Sequence, residues 1–181
     1  MSTARHTHSM LAAILAAVLP LAACTVDVRD EESGGKAEVD IRTPVGALSV
    51  RTDVGAPDTG LRLYPGATPR RDRDDDPQSA DVSIGGAWFG VKVVAANFES
   101  RDEPGEIVDF YRDEMKAYGA VTECRGDIDH RRGRMVCQED ASSRDIQLAV
   151  GTEERQRIVS VKPRGSGSEF ALVYIRTGGE R

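Results

Sequence analysis

The sequence predicts an α+β domain: one amphipathic helix packed on a mainly antiparallel β-sheet, preceded by a β-hairpin. Three observations predict it. Between residues 102 and 119 apolar side chains recur at helical spacing, with start and stop signals at the two ends. After residue 120, short segments alternate apolar and polar residues, and Gly, Pro or Asp stands at each junction. Ahead of both, residues 38–42 and 47–53 alternate around Thr43-Pro44-Val45-Gly46, a turn-forming sequence.

The first 20 residues have the layout of a secretory signal. Arg5 supplies the positive region, no acid precedes Asp27, residues 10–19 are unbroken apolar, and small residues follow. Even extended to Cys24 the run is about 15 residues, short of the roughly 20 that span a hydrocarbon core. Leu21-Ala22-Ala23-Cys24 resembles the lipobox of bacterial lipoproteins: a leucine-like residue, two small residues, then cysteine. The resemblance implies lipid attachment to the Cys24 sulfur, cleavage before it and acylation of the new N-terminus. Each buried methylene contributes about 0.8 kcal/mol, and two or more chains make a stable anchor. The partner so implied is a membrane. Thr25 follows where Asp often marks inner-membrane retention, so the resemblance favours the outer membrane of a diderm host, with the domain facing periplasm or exterior. The alternative reading is an ordinary signal peptide with Cys24 incidental.

Removing residues 1–23 leaves 158 of the 181, a chain suited to one domain. The leader takes Arg5, leaving 23 basic against 30 acidic side chains, a net charge of −7. No basic stripe is present to displace counterions, so nucleic acid is excluded as a partner class. With Cys24 committed to lipid, Cys124 and Cys137 remain, and an oxidising compartment predicts a disulfide between them. His6 and His8 leave with the leader, so the mature chain keeps only His130. A multi-histidine zinc site is thereby excluded.

Taken in order, residues 24–37 are acidic and glycine-containing, the composition of a flexible tether. The domain then runs over 38–177: a hairpin at 38–53, a Gly/Pro/Asp linker at 54–60, and a core at 61–177. The hairpin phrase Val39-Asp-Ile-Arg-Thr-Pro with Leu48-Ser-Val-Arg-Thr is similar to a repeat unit of β-solenoid bacterial adhesins. Those proteins repeat the unit many times; one copy cannot bury a solenoid core. Residues 61–64 read as a short strand. Residues 69–81 read as a charged loop in which Asp72, Asp74 and Asp76 mimic half of a calcium loop, but Pro77 stands where that pattern needs Gly. Residues 87–98 read as one long buried strand entered through Gly85-Gly86, with Trp88 in the core and a binding aromatic as its alternative reading.

In the helix, Asp102 is the expected N-cap, Pro104 falls in the first turn, and Gly119 is the stop. Ile107, Tyr111, Met115 and Tyr118 form one stripe with Phe110 beside it. The phrase over 107–119 resembles a helix common in small uncharacterised envelope lipoproteins, where it packs on a sheet. Strands are expected at 121–125, 134–139, 145–150, 157–162 and 170–177, and residues 178–181 read as a disordered tail.

Candidate chemistry is sparse. Twelve residues separate Cys124 from Cys137, a spacing unlike that of redox-active thiols, so the pair reads as structural. Asp129-His130-Arg131 sits on a predicted loop tip with no cleft to exclude water. There is no nucleophile elbow, phosphate-binding loop or dinucleotide fingerprint. The sequence therefore calls for no cofactor and no metal. The function it supports is a membrane-anchored envelope lipoprotein acting as a non-catalytic binding or structural module with an envelope protein partner. A hydrolase using acidic residues or His130 is the alternative.

Overall fold

Among the described residues eleven strands hydrogen-bond into one continuous antiparallel sheet. The computed structural model describes residues 24–31, 36–70, 79–86, 88–131 and 134–178. The strands are β1 (Thr25–Glu31), β2 (Lys36–Thr43), β3 (Gly46–Arg51), β4 (Thr68–Pro69), β5 (Ser79–Gly86), β6 (Gly90–Ser100), β7 (Thr122–Arg131), β8 (Arg134–Glu139), β9 (Ile146–Thr152), β10 (Arg155–Arg164) and β11 (Gly167–Thr177). Their spatial order is β1-β2-β3-β5-β6-β11-β10-β9-β7-β8, with the two-residue β4 also paired to β6. Among the described residues one α-helix, α1 (Pro104–Met115), carries the chain from β6 across β10 and β9 to β7.

This architecture corrects the α+β expectation. The fold is β-rich, with one helix of 12 residues against eleven strands among the described residues. Two misreadings hid the extra strands. Residues 25–31, read as tether, form an edge strand: Val26 and Val28 alternate with Asp27 and Arg29, and Val28 pairs with Val39. Residues 79–81, read as the end of a charged loop, open a strand of their own, β5, and the strand expected at 87–98 is β6, running from Gly90 to Ser100. β5 and β6 pair as a hairpin from Ser79 opposite Ala96 to Gly85 opposite Gly90. Of the expected tail, residues 179–181 lie outside the described residues.

α1 buries Ile107, Val108, Tyr111 and Met115 against the sheet. They meet Leu148 and Val150 of β9, Val159 and Val161 of β10, Phe170 and Leu172 of β11, and Ala96 and Phe98 of β6. The Phe170 ring stacks on Phe98 at 5.5 Å and is flanked by Tyr111 at 5.7 Å. Asp102 does not cap the helix. The N-cap is Glu103, with no side-chain cap bond, while the Asp102 carboxylate accepts a 2.9 Å hydrogen bond from the Tyr64 hydroxyl. The last turn tightens to a 3₁₀ turn over Lys116–Tyr118 and stops at Gly119, as expected.

Residues 61–64 are not a strand. Leu61 is buried in the core, yet its segment has no neighbouring strand to pair with. Buried backbone groups must still find partners. Tyr111 supplies them: its hydroxyl accepts from Tyr64 N at 3.1 Å and donates to the Arg62 carbonyl at 3.1 Å. Glu114 adds a bond from Arg62 N at 2.6 Å. Two helix side chains thus do for this segment what a sheet edge would have done. Burial, the larger influence, and neighbouring acids hold the Tyr111 phenol well above its usual range, so it stays protonated and able to donate.

β7 changes partners along its length. Residues 122–125 pair with β9 and residues 126–131 with β8. Gly126 makes the bend, at φ 126° and with the backbone of Gln138 and Asp140 where a side chain would go. The disulfide joins Cys124, before the bend, to Cys137 of β8 with the Cα atoms 5.3 Å apart. It staples the terminal hairpin to the main sheet.

Two measurements check this account. Tyr111→Phe, keeping the ring but leaving the Tyr64 amide without its acceptor, is expected to cost about 1–3 kcal/mol in denaturant unfolding. The double variant Cys124→Ser, Cys137→Ser is expected to lose about 3 kcal/mol for a loop of this length. Thiol labelling of the denatured wild-type pair should find none free.

Candidate functional site

Strand register sorts the side chains of β1 to β6 onto two faces. On the face that α1 covers further along the sheet, this wing presents Glu38, Asp40, Arg42, Ser49, Arg51 and Ser83. On the other face two aliphatic rows cross the strands side by side. Val28, Val39, Val50, Val82, Val93 and Ile175 form one; Val26, Ile41, Leu48, Ile84 and Val91 form the other. A sheet normally buries its aliphatic face, and a contiguous exposed one of this size marks an interaction surface. No element among the described residues packs over it. Val26 and Val28 on the edge strand are 60% and 56% exposed, and the inner members are partly exposed.

The polar face holds one buried charge. Asp81, 2% exposed, lies between the Arg51 guanidinium, which donates to its Oδ2, and Lys92 Nζ at 3.1 Å. Ser83 donates a further bond at 3.3 Å. Burial alone would raise the Asp81 pKa; the hydrogen bonds and charges of Arg51 and Lys92 outweigh it and hold the carboxyl below the usual range. Both acceptor oxygens are engaged, so the group joins β3, β5 and β6 and offers nothing to a substrate.

Two hairpin turns and Cys24 share one end of the sheet. Thr25 pairs with Arg42, Thr43 with Gly46, Gly46 with Gly86, and Gly85 with Gly90. Glycine lets the turns meet: a side chain at Gly86 would lie 3.0 Å from the Val45 carbonyl oxygen and 3.3 Å from the Phe89 ring. Trp88, expected in the core, is 92% exposed at this tip. The apolar run that suggested burial is interrupted by the turn, which turns the indole outward. Phe89 and Val45 are 58% and 83% exposed beside it. A shallow groove of about 720 Å³ runs between the turns, with Arg42, Lys92 and Arg176 in its lining.

The remaining sequence candidates separate cleanly. Cys24 is exposed and unbridged. Cys124 and Cys137 are bonded to each other. The backbone of His130 pairs with Met135 near the β7–β8 turn, so the expected loop tip is strand; its side chain lies outside the described residues. The Asp72 to Asp76 segment lies outside them as well. Among the described residues no group of three or more His, Cys, Asp or Glu is placed to hold a metal ion, and no helix is long and apolar enough to cross a membrane. Sequence reasoning missed the second aliphatic face, although Val26 and Val28 carried its signal in a stretch dominated by charge. No protein-family model matches the chain, and no match was found among curated proteins or solved structures.

Asp81 gives a pH test. Its pKa is depressed in the folded state, so its contribution is present above the unfolded aspartate value of about 3.9 and is lost as pH falls through the folded value. Asp81→Asn is expected to lose about 1–3 kcal/mol at pH 7, because Arg51 and Lys92 stay partly solvated. The gap to wild type should narrow in urea titrations below about pH 4.

Proposed function

We propose that this chain is a cell-envelope lipoprotein, acylated on Cys24, whose domain is a non-catalytic module that holds an envelope protein partner. In a diderm host the outer membrane is its place, with the domain facing the periplasm or the exterior. The observation that carries the binding role is the aliphatic face of β1 to β6 and β11, two rows deep and uncovered by any described element. The exposed Cys24 beside β1 is consistent with the anchor. A domain held at a membrane gains effective concentration toward other membrane-bound proteins.

The two faces supply the control. Val50 and Ser49 are neighbours on β3 that point to opposite sides of the sheet. A photocrosslinking residue replacing Val50 in cells should capture one envelope protein reproducibly, and one replacing Ser49 should not. Equal capture at both positions, or none at Val50, would refute the binding face. Mass spectrometry of the N-terminal peptide should find residue 24 at the terminus and carrying fatty acid; an intact leader would refute the anchor.

A further inference from the structure

We infer that Val45, Trp88 and Phe89 form a second membrane contact, seating the hairpin end of the sheet in the headgroup region beside the acylated Cys24. The inference rests on the lipoprotein reading and specifies how that anchored domain is oriented.

The first argument is reach. The acidic segment expected to act as a tether is instead β1, hydrogen-bonded to β2 from Thr25 onward. No slack chain therefore separates the acylated residue from the sheet. One residue spans at most about 3.6 Å. The β2–β3 and β5–β6 turns lie at the same end as Cys24 by strand register. With strands about 4.8 Å apart, the β5–β6 turn stands roughly 15–20 Å from β1 across the sheet. An anchor one residue before the first paired residue of β1 thus brings both turns to the leaflet.

The second argument is composition. These turns expose Val45, Trp88 and Phe89 at 83%, 92% and 58%. Tryptophan favours the membrane–water boundary, where an apolar ring and an N–H donor are both accommodated. Arg42 and Arg176 are exposed at the same end and suit lipid phosphate. The third argument is that the turns need little water. Thr43 Oγ1 donates to the Gly46 carbonyl at 2.9 Å and accepts from Gly46 N at 3.1 Å; Gly86 N donates to the Phe89 carbonyl at 2.8 Å. Backbone groups already paired lose less on entering a less polar layer.

Trp88 is the chain's sole tryptophan, which makes it its own probe. The acylated protein would be purified from membranes and reconstituted into phosphatidylcholine–phosphatidylglycerol vesicles, with the mass of the Cys24 peptide measured on the same sample. The expected result is a blue shift of Trp88 emission on transfer from detergent-free buffer controls to vesicles, and loss of intensity with lipids brominated near the glycerol end of the chain. An acylated, vesicle-bound protein whose Trp88 stays water-exposed and unquenched would overturn this contact and leave the anchor standing. Quenching without acyl mass would do the reverse, supporting the contact and removing the anchor. Neither acyl mass nor quenching would overturn both.

Discussion

A β-sheet has two faces, and the described residues provide one α-helix with which to cover them. Most of the molecule follows from that shortage. α1 closes the side of β9, β10, β11 and β6 that carries Leu148, Val159, Leu172 and Phe98. Beyond β6 the sheet continues for four more strands with no second α-helix among the described residues. There the pattern inverts: the helix-side face turns polar, and the aliphatic residues move to the opposite side. The inversion keeps the wing from presenting an unsatisfied apolar surface to the core side, and it leaves the opposite side open. On the edge strand β1, Asp27 and Arg29 alternate with Val26 and Val28, and such edge charges disfavour pairing with another sheet.

Where backbone or charge must be buried, single side chains settle the account locally. Tyr111 holds the irregular segment after the first 3₁₀ turn (Ala56–Thr59) by bonding to two backbone groups at once. Arg157 does similar work further along, donating to the Thr59 carbonyl at 3.0 Å while its guanidinium lies 3.7 Å from the Tyr118 ring centre. Asp81 ties three strands where no aliphatic layer is available. These polar contacts sit at the margins of the apolar cluster, so the helix-covered half is rigidified from its borders as well as its centre.

The legible parts of the fold were those whose pattern is local. The hairpin at β2 and β3 showed itself through strict alternation around a Pro-Val-Gly turn. The helix showed itself through the stripe of Ile107, Tyr111 and Met115. The disulfide followed from cysteine count and compartment. What escaped has physical reasons. β1 is stabilised by pairing along Val39 and Ile41, a partner that composition cannot reveal, and its acids read as tether. Leu61 and Leu63 alternate as a strand would, but tertiary context places them in a loop held by Tyr111. Trp88 belongs to an apolar run that a turn divides, and hydrophobicity alone does not locate the turn. The candidate surface was invisible because a face is a property of register across six strands, whereas the lipobox-like stretch was plain because it is four adjacent residues.

The junction between β6 and β11 has a consequence for how the molecule is made. Phe98 pairs with Phe170 and Ser100 with Ser168, so the two wings of the sheet meet through strands separated by the helix and four intervening strands. Closing so long a stretch of chain is slow, because its entropy is lost before the pairing rewards it. A chain arriving N-terminus first holds β1 to β6 as an incomplete sheet with the β6 edge bare until the last eleven-residue strand is delivered. That bare edge is a consequence of the strand order itself, independent of what the finished domain goes on to bind.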